Sequence, residues 1–253
     1  MTPKLAVLAV VLSMSFLSPT NLAASDPDWS AVFEKVAPSV VKIQHVRNDA
    51  KDYITHCSGV VIALIPEPLI LTAKHCIVMP EEYQAEITNI FYADQVPLEQ
   101  VAELGEYVLM VTTDSTWVPS WTPIQVRKAP LVIGEPVAAI GHGFGSDHLM
   151  ITAGIISGFD LIPGDPELGT NGTYMDLQAI GGQSGGAIVD ANGELVSIMW
   201  MFISDGFMSP TGLTYVPGLE DLHTILHDNT QVEAVQPTRA KQPTMQLVKP
   251  WLR

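Results

Sequence analysis

The chain has 253 residues, 47% of them hydrophobic, with 12 Lys+Arg against 27 Asp+Glu and two cysteines; this allows one or two domains with a sizeable core and rules out disorder throughout. A formal charge of −15 and a pI near 4.6 disfavour nucleic acid and anionic membrane surfaces as partners, because binding a phosphate backbone needs clustered Lys and Arg. The 19 Gly and 19 Pro are scattered among Val/Ile-rich runs, which suits many short strands and turns better than a helical bundle.

In chain order, residues 1–25 read as a secretory signal peptide: Lys4, then the apolar run Leu5 to Leu12 continuing to Leu17, then Ser18-Pro19 and the small exit Ala23-Ala24-Ser25. At ~1.5 Å per residue the run is too short to span ~30 Å of hydrocarbon. No cysteine near the exit offers a lipid attachment. The expectation is a secreted or periplasmic protein with no stable membrane insertion after cleavage.

Asp26-Pro27 supplies an N-cap and an N1 proline, and Trp29, Val32, Phe33 and Val36 follow at i, i+3, i+4, i+7, which predicts an amphipathic helix ending before Pro38. Strand-like runs come next: Ser39–Ile43, Gly59–Leu64, Leu69–Ala73, Ile87–Tyr92, Tyr107–Val111, Pro136–Ile140, Leu149–Ile156, Ala187–Val189, Leu195–Trp200 and Leu213–Val216. After Pro217-Gly218 a short helix over 219–227 carries Leu219, Leu222, Ile225 and Leu226 on one face. Strands separated by turn signals, without alternating long helices, predict an all-β barrel or sandwich. The remaining 228–253 is a Pro-containing tail whose Arg239, Lys241, Lys249 and Arg253 face no acid in the last fifteen positions. The body from Asp26 to Thr238 holds 7 basic and 27 acidic residues, a net −20, against +4 for the tail. Such a body can steer cationic substrates.

Chemistry concentrates in a few segments. Cys57-Ser58-Gly59 is followed by Leu71-Thr72-Ala73-Lys74-His75-Cys76. In an exported chain two cysteines nineteen positions apart are expected to pair, constraining the unfolded state by ~3 kcal/mol on the chain-entropy model and pinning His75 beside the staple. Gly182-Gln183-Ser184-Gly185-Gly186 places a serine among glycines, where the N–H groups of Gly182 and Ser184 can converge on a developing oxyanion. A plain Gly-rich turn is the competing reading of those five residues. A nucleophile elbow of an α/β-hydrolase would need a helix after the serine, but Ala187-Ile188-Val189 reads as a strand.

Taken together, these residues resemble the trypsin-like serine proteases of the chymotrypsin clan, most closely the Deg/HtrA-type bacterial branch. The likeness runs through Ala31 to Gln44 (AVFEKVAPSVVKIQ), Thr72 to Cys76 (TAKHC), Ala138 to Gly158 (AAIGHGFGSDHLMITAGIISG) and Asp176 to Ile198 (DLQAIGGQSGGAIVDANGELVSI), covering about 30–227. The resemblance implies a protease domain over 26–227, with two six-stranded antiparallel β-barrels at about 39–118 and 122–217 and the closing helix over 219–227. It implies an exported serine endopeptidase acting through an acyl-enzyme. Ser184 would be the nucleophile, His75 the base, and the N–H groups of Gly182 and Ser184 the oxyanion hole.

The family places an Asp at a strand head about thirty residues after the histidine. This chain has Glu106 there, 31 positions on, followed by Tyr107-Val108-Leu109-Met110. Glu106 is therefore the expected third member, Glu103 its substitute if the register slips, and a catalytically impaired, peptide- or protein-binding homologue the second reading. The implied substrate pocket is walled by Ile198, Met199, Trp200 and Met201, with Gln178 near its base and Tyr215 opposite. Without an acid at the base, a small or medium apolar P1 residue is expected. Gln183 stands where many animal relatives carry an Asp for zymogen activation, so such activation is not expected. The roughly 26 residues after His227 leave no room for a PDZ domain. No cofactor is expected, and no metal: His223 and His227 lie at i, i+4 without a third ligand in view.

Overall fold

A computed structural model describes residues 26–47, 53–64, 67–77, 89–113, 120–160, 172–204 and 210–230. The expected leader and the chain from 231 onward lie outside the described residues. Helix α1 spans Trp29–Val36 and buries Val32 and Val36. Its cap is Asp28 rather than Asp26, because the Asp28 carboxylate accepts from the N–H groups of Ser30 and Ala31, each at 3.1 Å. Those are first-turn donors with no intrahelical partner, so Pro27 stands before the helix instead of opening it.

The first barrel is built from β1 (Val40–Arg47), β2 (Tyr53–Ala63), β3 (Leu69–Ala73), β4 (Asn89–Ala93), β5 (Val96–Leu104) and β6 (Tyr107–Thr112), closed in the order β1-β2-β3-β6-β5-β4. β4 returns antiparallel onto β1, with Ile43 opposite Ala93, so no edge remains open. The apolar run Leu69–Ala73 is buried on both faces. β5 has no such run: charged and polar residues interrupt its apolar ones and its second half is mostly solvent-facing, which hides it from a search for apolar stretches. Asp94 and Gln95, at φ +46° and +74°, join β4 to β5 in a two-residue hairpin turn.

The second sheet contains β7 (Pro136–Gly141), β8 (Met150–Asp160), β9 (Gly172–Asp176), β10 (Ala187–Asp190), β11 (Leu195–Ile198), β12 (Met201–Ser204) and β13 (Pro210–Val216), ordered β11-β10-β7-β8-β9-β13-β12. The double-barrel architecture is as expected, but this half has seven segments where six were expected. The expected strand Leu195–Trp200 breaks because Met199 turns its backbone to the serine-bearing loop: its N–H donates to Gly186 O at 2.9 Å and its carbonyl accepts from Gly185 N–H at 2.7 Å. The two outer strands, β11 and β12, are thus joined by only Met199 and Trp200, and the sheet must curl until its edges meet.

Helix α2 spans Leu219–Thr230, three residues beyond the expected end, so 228–230 belong to the fold and not to the tail. It packs through Leu222, Ile225 and Leu226, and His223 is held at 2.6 Å from the Arg127 carbonyl. Arg127, buried, pairs with Glu135 and, at 3.2 Å, with Asp190. No helix among the described residues is long and apolar enough to cross a membrane.

Tyr107 joins the two halves. It is fully buried, and its hydroxyl lies 3.1 Å from Ser197 Oγ and from the carbonyls of Pro217 and Gly218. Burial pushes its pKa far up, so it stays a neutral donor. Tyr107→Phe removes that donor while leaving the acceptors buried, and unfolding free energy in urea should fall by about 1–3 kcal/mol. An unchanged denaturation midpoint would show that the bond contributes nothing net.

Candidate active site

His75 sits in the short turn Lys74–Cys76 that follows β3. The expected disulfide between Cys57 and Cys76 is formed and ties that turn back to β2. A His75 ring nitrogen lies within 4.8 Å of both sulfurs. These three side chains have metal-ligand proximity, but the two sulfurs are spent on each other and only the imidazole can donate. The ring is exposed on one side, while burial on the other lowers its pKa below the usual histidine value, so it is neutral and fit to accept a proton at neutral pH.

Ser184 stands in the loop between β9 and β10, and that loop is fastened to the first barrel. Its carbonyl accepts from Ser58 N–H at 2.7 Å and lies 3.7 Å from Cys76 Sγ. Ser58 Oγ, fully buried, donates to the Gly182 carbonyl at 2.9 Å and accepts from His142 N–H at 2.8 Å. The disulfide therefore bridges the imidazole and the serine loop. The sequence assigns Ser58 no role of its own; its one signal there is its place between Cys57 and Gly59.

The loop leaves two donors unused. A type II-like turn places Gln183 N–H on Ile180 O at 3.0 Å with Gly182 at φ +94°, a value that suits glycine. Phe144 N–H holds the Gly181 carbonyl at 2.6 Å, and Gly186 N–H holds the Gln183 carbonyl at 2.7 Å. In a trans peptide the N–H points opposite to its carbonyl. Both peptide planes are thus fixed with the Gly182 and Ser184 N–H groups facing away from these clamps, and among the described residues neither donates to a protein acceptor. Gln183 is buried and serves the loop: Oε1 accepts from Ile180 N–H at 3.1 Å and Nε2 donates to Met150 O at 3.4 Å.

Glu106 stands beside the head of β6, its carbonyl accepting from Lys74 N–H at 2.9 Å, one residue from His75 across the ladder. Burial raises the pKa of its carboxyl, opposed by the Lys74 charge and by a hydrogen bond from the Trp200 side chain. Among the described residues no hydrogen bond or ion pair joins Glu106 to His75, or His75 to Ser184. Glu103 is turned to Lys74 at 3.3 Å and to Gln100 at 3.1 Å.

The residues expected to wall a substrate pocket divide. Met199 is buried in the core of the second sheet with Val137, Ile156 and Val216. Tyr215 is fully buried, its ring 5.0 Å from Tyr174 and 5.6 Å from Trp200. Met201 is half-buried and Gln178 is exposed, its carbonyl accepting from Thr152 Oγ1 at 2.9 Å. A cavity of about 370 Å³ opens elsewhere, between Leu131, Phe159, Leu219 and Asp221; none of the candidate catalytic groups lines it.

The family model for a trypsin-like peptidase domain matches residues 57–198. Serine protease HTR4 of Rattus norvegicus is 28% identical over 186 residues, 70% of this chain and 36% of that protein. Serine protease HTRA1A of Danio rerio is 29% identical over 184 residues, 69% and 37%. The mitochondrial serine protease HTRA2 of Bos taurus is 28% identical over 211 residues, 79% and 43%. The matches thus span well under half the length of these relatives. Among solved structures, the inactive form of the Rv3671c protease has a TM-score of 0.58 at 18% identity, covering 80% of this chain and 96% of that one; that likeness concerns the fold.

Proposed function

Because the chain belongs to the trypsin-like peptidase family, we propose that it is a serine endopeptidase in which Ser184 attacks the scissile carbonyl and His75 takes the hydroxyl proton. The observation that carries this reading is the pair of unengaged N–H groups at Gly182 and Ser184, in a loop bonded to Ser58, next to the cysteine whose disulfide ties down the turn that bears His75. Donors fixed before the reaction stabilise a tetrahedral oxyanion without reorganising, each worth on the order of 3 kcal/mol. Collapse of the intermediate passes the proton from His75 to the leaving amine and leaves an acyl group on Ser184 Oγ; water then repeats the sequence. Glu106 orients His75 and stabilises the imidazolium once substrate has entered, since catalytic hydrogen bonds often tighten only in the complex.

Gln178 rather than an acid stands at the expected pocket base, and Met199, Trp200 and Met201 of the expected wall are apolar, which supports a small or medium apolar P1 side chain. The formed disulfide and the leader-like start support export, to the periplasm or the medium. Labelling with a fluorophosphonate tests the reading. The folded, oxidised protein should label and Ser184→Ala should not; no Ser184-dependent label would exclude a serine hydrolase.

A further inference from the structure

The cavity of about 370 Å³ that no candidate catalytic group lines lies where α2 begins. The buried Thr173 of β9 lines it on one side, and Leu219, Glu220 and Asp221 of α2 line it on another. Leu131, Phe159 and Leu219 make its walls largely apolar, and Phe159 leaves 46% of its surface bare there. A cavity of this size takes a small ligand or one long side chain with its neighbours.

One polar group in the wall lacks a partner. Asp221 is half-buried, and its Oδ2 is buried without a hydrogen-bond partner among the described residues. A buried oxygen left unpaired is costly, and more so on a charged group. Burial and the Glu220 charge both raise the Asp221 pKa above the ordinary aspartate value, so the anion stands in need of a cation. The immediate neighbours do not supply it. His223 is held on the Arg127 carbonyl, and Lys128, exposed on the same cavity, forms no ion pair with Asp221.

Four other cations are spent elsewhere. Lys35 donates to the Asn192 carbonyl at 2.6 Å, Lys42 pairs with Asp147, Lys74 with Glu103, and Arg127 with Glu135 and Asp190. Positive charge is concentrated instead in Arg239, Lys241, Lys249 and Arg253, with no acid among positions 239–253. That stretch is within reach. The 12 residues of α2 rise ~18 Å, and the nine from Thr230 to Arg239 span up to ~30 Å when extended. A chain leaving the far end of α2 can turn back along the helix and bring Arg239 to its beginning.

We propose that this cavity is the docking site of segment 237–243 of the same chain, with the Arg239 guanidinium on Asp221 and its methylene stem against Leu131, Phe159 and Leu219. A long cationic side chain covers apolar surface with its stem while its head stays on a polar partner, and a planar guanidinium suits a carboxylate. Arg239 and Lys241 fall on one side of an extended chain, so Lys241 meets Glu220 beside Asp221. The net −20 of the body adds long-range attraction for the cationic segment. The inference is independent of the peptidase reading, and its test needs no turnover.

The contact is tested in the full chain with Phe159 replaced by the photoreactive p-benzoylphenylalanine. Irradiation should give a product of monomer mass whose cross-link maps to 231–253, and Arg239→Gln with Lys241→Gln should lower its yield several-fold without touching the folded body. Trypsin tests the charge, since it cuts after Arg239 and Lys241 only when they are undocked. Asp221→Asn should speed those cuts about tenfold, the low end for a lost hydrogen bond to a charged group, at an unchanged thermal midpoint. Cross-links joining two chains would give the cavity to a second copy and overturn the proposal, as would the absence of any cross-link to 231–253. Equal trypsin rates in wild type and Asp221→Asn, with a cross-link yield unmoved by the Gln pair, would overturn it too.

Discussion

Replacing Glu106 by glutamine should lower kcat/KM for a peptide substrate by roughly 100-fold to 10,000-fold while leaving the fold intact, the range expected when an imidazole loses the carboxylate that fixes its tautomer and offsets its charge. Glutamine keeps the size and one carbonyl oxygen, so the Trp200 donor retains an acceptor, and Lys74 keeps Glu103. What disappears is the negative charge. The pH profile carries a second signature. Burial already lowers the pKa of His75, so the acidic limb of kcat/KM in the wild type should lie below ~6.5. Loss of a nearby anion destabilises the imidazolium further and should move that limb to still lower pH. Glu106→Asp should keep much of the activity. An unchanged rate in Glu106→Gln would remove Glu106 from the mechanism, and a steep loss in Glu103→Gln would hand the role to that residue.

Gly185→Ala should be the most damaging single-methyl change in the site. Gly185 has φ +79°, and a Cβ there would fall inside the van der Waals envelopes of Ser58 O and Thr72 Oγ1 and 3.0 Å from Ala73 N. Backbone lies on one side and a buried hydroxyl on the other, with the Thr72 hydroxyl already committed to Ser58 O at 2.8 Å. No flexible side-chain tip can yield. The two barrels must part by a fraction of an ångström to an ångström, which costs ~3 kcal/mol or more of stability. A shift of that size between Ser184 and His75 should slow labelling of Ser184 by ~100-fold. Gly181→Ala is the control, since nothing lies within 4 Å of a Cβ there and its φ is not in the left-handed region. A thermal midpoint and labelling rate for Gly185→Ala equal to those of Gly181→Ala would contradict this account of the interface.

The sequence disclosed most where chemistry is local. β3 matches its apolar run residue for residue, and β6, β7 and β10 extend only one residue beyond theirs, because a continuous buried run with clear stops leaves little freedom. β5, β9 and β12 lie outside the expected runs: β5 spends Glu99, Gln100 and Glu103 on solvent, β9 is a five-residue segment beginning with glycine and ending with aspartate, and β12 is the four residues Met201–Ser204. The break at Met199–Trp200 was not legible, since it follows from bonds to Gly185 and Gly186 on another element. The site divides the same way. His75 and Ser184 stand in recognisable strings, and the cysteine pair is a local arithmetic. Ser58 and Phe144 act through partners more than a hundred and nearly forty positions away, and Met199 was assigned to a wall although its side chain completes the core.

The fastening of the serine loop by Ser58 bears on when activity arises as well as on how. The partners of those bonds are 124 and 126 positions apart, and closing such long loops comes late and slowly in folding, after local hairpins have formed. The first barrel can complete its own ladder with His75 in place and still possess no nucleophile. The second can form its Gly-rich loop, but without Ser58 nothing pins the Gly182 carbonyl. A chain halfway through folding, surrounded by unfolded segments of itself and its neighbours, is therefore chemically silent. On the proposed mechanism, the capacity to cut waits for these long-range contacts between the two barrels.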